Sequence, residues 1–257
     1  MRTSSRNVWL AGVDSCPGGW IVAFVRPSGD EGYLRRISKF AELLSAPEAP
    51  SLVLVDIPIG LPERSGNGGR PPEPCIRPRL GACYRSVFRI PSRRAVYEAV
   101  NPTICDHVQR FASARSIARE TSIDNKAFSK QGFCICPKIV EVDKLLRART
   151  ELIGRVFETH PELAFWRLNA GRSLAHPKKV KRKLNPSGLV LRRNLLLADG
   201  IPAGVVNALT PQGAGEDDKL DALACAAIAR RKYHRLAQPF PEFTETDAFK
   251  IPMAIWA

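Results

Sequence analysis

Three apolar segments of this sequence each end on or near an acidic residue. Asp14 ends the run WLAGVD, Asp56 ends SLVLVD, and Glu158 lies near the end of RVFET. A carboxylate in such apolar surroundings is costly unless a hydrogen-bond partner or a cation uses its charge. The active sites of open α/β sheets lie beyond the carboxyl ends of the strands. We therefore expect these three carboxylates to belong to one site.

The last helical segment, at about 217–236, adds further carboxylates. It begins DDKLDALACA, so Asp217 or Asp218 would share a helical face with Asp221. Carboxylates that are brought together repel one another and raise each other's pKa, unless a cation lies among them. A hard ion such as Mg²⁺ suits an all-oxygen site, and it can activate water and stabilise both oxygens of a phosphodiester displacement. The pattern predicts metal-dependent phosphodiester chemistry.

Each of these acids also has a structural explanation. Asp14 could shape a turn, and Asp217 or Asp218 could complement the dipole at the start of a helix. Glu158 could pair with an arginine, and His160 could cap the helix that follows it. The three-dimensional arrangement of these residues distinguishes a structural role from a catalytic one.

The hydrophobic pattern predicts the elements that would carry these residues. Strands are predicted at 7–14, 20–26, 33–37, 51–57 and 155–159, with a short return strand in the tail at about 238–257. Helices are predicted at 39–45, 107–120, 138–153, 189–198 and 217–236, with a connection at 129–137. This order indicates an α/β fold with one mixed central sheet flanked by helices. We expect a single domain over 1–257, with an arginine-rich insertion of loops and short helices at about 62–137.

Positive charge is concentrated in two parts of the chain, whose formal net charge is +14. The segment 64–97 holds eight arginines and one acid, Glu73, and the segment 163–198 holds nine basic residues and no acid. Such segregated charge attracts a polyanion such as nucleic acid, although a solvated basic surface would show the same composition. The candidate phosphate contacts are Arg93, Lys130, Lys178 and Lys179.

The composition limits the class of protein. With 257 residues and 44% hydrophobic residues, the chain can bury a substantial core. It has no apolar run long enough to span a membrane and no recognisable secretory signal, so we expect a cytoplasmic protein with no membrane partner. The seven cysteines are an odd number, which favours reduced thiols, and the spacing of Cys134 and Cys136 is a weak zinc signal.

Eight motifs, in this order, resemble those of the family called domain of unknown function 429, which is regarded as a predicted ribonuclease H-like nuclease. They are GVDSCPGGW at 12–20, VDIPIGLPE at 55–63, SVF at 86–88, SKQ at 129–131, KIVEVD at 138–143, FETHPE at 157–162, HPKK at 176–179 and DDKLDALACA at 217–226. The resemblance covers nearly the whole chain and implies a ribonuclease H-like fold, similar to that of RuvC-type resolvases. In the arginine-rich segment the family usually shows an acidic residue followed by Ala-Arg, whereas this chain has Cys75-Ile76-Arg77.

The resemblance also implies residue roles. Asp14, Asp56, Asp218 and Asp221 match the acids that bind Mg²⁺ or Mn²⁺ in the superfamily, and Glu158 belongs to the family's own motif. We expect a metal-dependent nuclease in which Glu158 assists as an outer ligand or as a base. The alternatives are a nucleic-acid-binding protein of the same fold without turnover, and a metal-dependent hydrolase or phosphotransferase for a small phosphorylated substrate. A homodimer is left open.

Overall fold

A computed structural model describes residues 8–181 and 183–257, which form a seven-stranded sheet flanked by helices. The strands are β1 (Leu10–Cys16), β2 (Gly19–Val25), β3 (Gly32–Ile37), β4 (Leu52–Val55), β5 (Val156–Thr159), β6 (Lys179–Val180), β7 (Lys183–Leu184), β8 (Pro239–Phe240) and β9 (Ile255–Trp256). The helices are α1 (Phe40–Leu44), α2 (Pro72–Ile76), α3 (Arg93–Glu98), α4 (His107–Glu120), α5 (Lys130–Ala148), α6 (Pro161–Leu168), α7 (Pro186–Ala198), α8 (Ala203–Val206) and α9 (Glu216–Tyr233).

The sheet has the strand order β3-β2-β1-β4-β5-β9-β8. The first three strands form an antiparallel meander, and β4, β5 and β9 then run parallel to β1. Strand β8 pairs antiparallel with β9, which confirms the strand expected in the tail. The α/β fold predicted from the sequence is confirmed, and the topology is consistent with the ribonuclease H-like fold that the resemblance implies.

Alternating side chains divide the core into two layers. Along β2, Trp20 and Val22 pack under α1, α3, α4 and α5, whereas Ile21 and Ala23 pack under α6, α7, α8 and α9. Successive side chains of a strand point to opposite faces, so a strand covered on both faces is apolar throughout. Strand β4 is also covered on both faces, which is why its residues form a continuous apolar run.

Helix α9 lies directly against β1 because the contact is made by small residues. A Cβ atom added at Gly12 would lie 2.0 Å from the backbone nitrogen of Ala226 and 2.2 Å from the carbonyl oxygen of Ala222. The two alanines are four residues apart and therefore share one helical face. Gly12 thus fixes where α9 crosses the strand that carries Asp14.

Helix α5 begins eight residues before its predicted start, so the predicted connection at 129–137 was wrong. The Ser129 hydroxyl caps the helix by accepting a hydrogen bond from the Gly132 backbone nitrogen at 3.1 Å. Pro137 lies inside the helix, although proline usually ends one. Burial of Phe133, Cys136 and Ile139 on one face stabilises the helix across it.

The insertion at 62–137 contains α2, α3, α4, the first turns of α5 and short 3₁₀ turns at 77–79 and 81–86. It lies over the carboxyl ends of the central strands, since several of its residues line the cavity described below. Among the helices of residues 8–181 and 183–257, none combines the length and apolar character needed to cross a bilayer.

Candidate active site

Three carboxylates from distant parts of the sequence meet at the carboxyl edge of the sheet. One oxygen from each of Asp14, Asp56 and Asp221 lies within 4.8 Å of the others. Strands β1 and β4 are parallel neighbours, and the Asp56 backbone nitrogen donates to the Val13 carbonyl oxygen at 2.9 Å. Asp14 and Asp56 therefore lie side by side, and the close crossing of α9 at Gly12 brings Asp221 to them.

Burial and mutual repulsion raise the pKa values of these three carboxyl groups. The Asp14 and Asp221 residues are only 6% and 2% exposed. Burial is the largest cause: it raises the pKa of Asp14 well above its usual value, with the charges of Asp56 and Asp221 adding to the effect. Burial likewise raises the pKa of Asp56 to about 7 and that of Asp221 to about 6, against the opposing charge of Lys178. The site therefore carries more negative charge than its neighbours balance.

The hydrogen bonds leave one buried oxygen of this site without a partner. Asp14 Oδ1 accepts from the Ser15 backbone nitrogen at 2.7 Å, and Lys178 Nζ donates to Asp221 Oδ2. Asp221 Oδ1 is buried and has no hydrogen-bond partner among residues 8–181 and 183–257. A buried oxygen without a partner costs free energy, and three carboxylates form an all-oxygen donor set. The residues therefore fit a hard dication such as Mg²⁺ or Mn²⁺.

The two acids in the first turn of α9 have different roles from Asp221. Asp218 lines the same cavity, but its Oδ2 caps the helix by accepting from the Gly215 backbone nitrogen at 2.9 Å. Asp217 pairs with Lys179 at 2.5 Å. Of the acids predicted in this helix, Asp221 alone joins the group of three carboxylates defined by residues 8–181 and 183–257.

Glu158 lines the same cavity, and its charge adds to the raised pKa of Asp56, but it does not join the group of three carboxylates because it lies on the other face of the sheet. It pairs in register with Val55, whose side chain packs in the layer opposite α9. Its carboxylate accepts from Arg70 at 2.7 and 3.0 Å and from the Ile59 backbone nitrogen at 2.7 Å. Burial raises the pKa of Glu158, and the Arg70 guanidinium opposes that rise. The arginine-pair explanation of Glu158 therefore matches its contacts.

Arg70 itself bridges two acids in the interior. Its side chain is fully buried, and it donates to Glu73 at 2.6 and 2.9 Å as well as to Glu158. Burial raises the pKa of Glu73 to about 7, although the Arg70 charge lowers it. In the sequence Glu73 is the one acid of the arginine-rich segment 64–97, and no pattern there indicates its partner.

The structure separates the four candidate phosphate contacts. Lys178 lies at the carboxylates, where Asp221 and Asp14 raise its pKa more than burial lowers it. Lys179 pairs with Asp217, and Lys130 is exposed at the start of α5. Arg93 does not fit the predicted role, because its guanidinium is buried and donates to Asp143 at 2.6 Å and to Asp247 at 2.5 Å.

One comparison with known proteins gives a match. The model of the family described as "Protein of unknown function (DUF429)" matches residues 12–246. The chain belongs to this family. No curated protein and no solved structure matches it.

In this DUF429 protein the three carboxylates lie in a cavity of about 230 Å³. Val87, Phe88 and Ile90 of the insertion and Ile135 of α5 contribute apolar walls. His160 also lines the cavity, with Nε2 3.5 Å from the Ser86 carbonyl oxygen and a buried Nδ1 that has no partner among the residues that the structure describes. Burial lowers the pKa of His160, which favours the neutral imidazole. The sequence analysis considered His160 only as a helix cap, because the sequence does not show that the segment 86–88 lies against it.

The arginines of the DUF429 insertion mostly bind groups of the protein itself. Arg77 donates to the carbonyl oxygens of Gly68 at 2.7 Å and Val87 at 3.3 Å. Arg89 donates to Asp124 at 2.8 Å. Of these arginines, Arg70 lines the cavity and Arg77 binds the carbonyl oxygen of Val87, which is one of its wall residues. The insertion therefore uses much of its positive charge to fix its own loops.

Proposed function

We propose that this DUF429 protein is a dication-dependent phosphodiesterase that hydrolyses nucleic acid, a nuclease of the ribonuclease H-like class. The observation that carries the proposal is the meeting of Asp14, Asp56 and Asp221 around the unpartnered Asp221 Oδ1. Two buried carboxylates and one half-buried carboxylate, all with raised pKa values, are stable together in their ionised form only when positive charge lies among them.

The residues of the site would have different roles in the reaction. Asp14, Asp56 and Asp221 would hold Mg²⁺ or Mn²⁺, which when bound activates a water and stabilises the leaving oxygen. Lys178 brings a positive charge to the same cavity, where it can bind a phosphate oxygen. The neutral imidazole of His160 can give or take a proton there. Glu158, bonded to the Ile59 nitrogen, positions the segment that follows β4.

A second candidate is a metal-dependent hydrolase of a small phosphorylated molecule. Ligand pockets usually measure about 300–1,000 Å³, and the cavity of about 230 Å³ is smaller than this range. Its walls are held by arginines that already have partners within the protein. Both features suit a compact substrate as well as a nucleic-acid backbone.

Cleavage assays with matched substrates test the proposal. The purified protein is incubated with Mn²⁺ and with single-stranded, duplex and branched DNA and RNA, next to bis(p-nitrophenyl) phosphate as a small diester. We expect Mn²⁺-dependent cleavage of nucleic acid that falls to the EDTA level in Asp14→Asn, because the variant loses a metal ligand.

The other outcomes separate the alternatives. Cleavage of the small diester alone supports the second candidate, and salt-sensitive binding without cleavage at any Mn²⁺ concentration supports a binding protein. Equal cleavage by Asp14→Asn contradicts both catalytic proposals. A nucleic-acid partner and a cytoplasmic location belong to the leading proposal, and the seven free cysteines agree with a reducing compartment.

A further inference from the structure

Lys178 is held in place by the backbone around it. Its carbonyl oxygen accepts from the Asn185 backbone nitrogen at 2.9 Å, and Asn185 Nδ2 donates to the Pro177 carbonyl oxygen at 2.9 Å. The start of α7 presses on the same segment, since a Cβ atom added at Gly188 would lie 2.2 Å from the Pro177 oxygen. The backbone at Lys178 is therefore held beside the carboxylates, and the ion pair with Asp221 places the ammonium group among them.

The charge of the three-carboxylate group itself matches one dication. Ionised Asp14, Asp56 and Asp221 carry three negative charges and Lys178 one positive charge, so two positive charges neutralise this group. Of the acids nearby, Glu162 pairs with Arg192 at 2.7 Å and Asp217 pairs with Lys179, whereas Glu158 and Glu73 share the single positive charge of Arg70.

The hydrogen bonding of the two Asp221 oxygens also indicates a single bound ion. Oδ2 accepts from Lys178 Nζ, whereas the buried Oδ1 has no partner in the described part of the chain and can bind an ion. In two-metal sites the ions lie about 3.5–4 Å apart and share carboxylate oxygens. A second ion beside Asp221 would have to displace the Lys178 ammonium group. Asp218, the next carboxylate in the cavity, is engaged by the Gly215 backbone nitrogen.

We propose that the site binds a single Mg²⁺ or Mn²⁺ and that the Lys178 ammonium group takes the place of a second ion beside the substrate phosphate. This inference rests on the proposed metal-binding function of Asp14, Asp56 and Asp221. It concerns the number of ions and the role of Lys178, which that function leaves open.

Titration of the full-length protein with Mn²⁺, followed by calorimetry and electron paramagnetic resonance, tests the inference. The wild type should bind one Mn²⁺ per chain in this site and show the spectrum of an isolated ion. Lys178→Gln should bind the first ion about tenfold more tightly, because a positive charge near it is removed. The variant should also take up a second ion, seen as spin coupling between two Mn²⁺ ions.

Lys179→Gln is the matched control, since Lys179 is the next residue and pairs with an acid outside the three carboxylates. It should bind one Mn²⁺ with the affinity of the wild type. A coupled pair of ions in the wild type overturns the inference, and so does Lys178→Gln with unchanged affinity and one ion. If Lys178→Gln does not fold, the wild-type spectrum decides. A wild type that binds no Mn²⁺, or Asp14→Asn that binds as the wild type does, overturns the proposed function itself.

Discussion

At the scale of single residues, the buried acids differ in what neutralises them. Glu162 has the buried guanidinium of Arg192, and Glu158 has that of Arg70. Within residues 8–181 and 183–257, the ion-pair partner of the group of Asp14, Asp56 and Asp221 is the ammonium group of Lys178, and burial together with mutual repulsion raises the pKa values of these three acids. The three carboxylates therefore store unfavourable free energy that a bound cation would release.

The stability of the metal-free protein should record this cost. In the unfolded chain an aspartate titrates near pH 4, whereas the folded Asp56 has a pKa of about 7. Between these values the folded state holds a proton that the unfolded state has lost, so the contribution of Asp56 to the free energy of unfolding falls as pH rises. Asp56→Asn should therefore be more stable than the wild type in EDTA at pH 8, by roughly 1–3 kcal/mol, with no gain at pH 4.

Urea denaturation of the two proteins at pH 4, 6 and 8 measures this difference. A difference that is constant with pH, or a variant less stable at pH 8, contradicts the assignment of a raised pKa to Asp56.

At the scale of elements, the position of α9 depends on one glycine. Asp221 reaches Asp14 because the helix backbone touches β1 at Gly12. Helix α9 can approach this closely because alanines occupy its contact face. The sequence motif that carries Asp14 therefore also carries the contact that places its partner.

Gly12→Ala should destabilise the protein by about 1–3 kcal/mol or more, since the new methyl group overlaps the helix backbone. It should also weaken Mn²⁺ binding, because Asp221 moves with the helix. Gly154→Ala is the matched control, since a Cβ atom there meets nothing within 4 Å. Chemical denaturation and Mn²⁺ calorimetry compare the two variants. If Gly12→Ala matches the control in both, the packing of α9 does not position the site.

Much of the order of the strands and helices could be predicted from the sequence. The hairpin, the apolar strand before Asp56 and the last helix follow from short-range periodicity, and they place Asp14, Asp56 and Asp221 at one edge. The face on which Glu158 lies could not be predicted, because it depends on the register of β5 with β4. The early start of α5 could not be predicted, because burial of one face of the helix outweighs the usual tendency of a proline such as Pro137 to end a helix.

At the scale of the whole molecule, part of the positive charge behind the net +14 is buried in ion pairs. Arg70 and Arg93 are enclosed, and their acidic partners lie up to 154 residues away in the sequence. Composition cannot reveal such pairings, because they exist only once the chain has folded. The exposed lysines of the β6–β7 hairpin, Lys181 and Lys183, remain available to a polyanion beside the site.

The double variant Lys181→Gln/Lys183→Gln should bind nucleic acid with a weaker dependence on salt. Each phosphate contact contributes about 0.7–0.9 to the slope of log affinity against log salt, so the slope should fall by about 1–2. The matched control is Arg94→Gln/Arg149→Gln, which removes two exposed arginines that pair with glutamates. Fluorescence anisotropy between low and high salt measures both. An unchanged slope in the lysine variant would show that the β6–β7 hairpin does not contact the nucleic acid.

Anomalous X-ray diffraction from crystals grown with Mn²⁺ tests the central claim most directly. We predict an anomalous peak within coordination distance, about 2.0–2.3 Å, of one carboxylate oxygen from each of Asp14, Asp56 and Asp221, and no such peak in Asp14→Asn. Data of good quality that show these three carboxylates without an ion at saturating Mn²⁺, or an ion bound only elsewhere, would contradict the account.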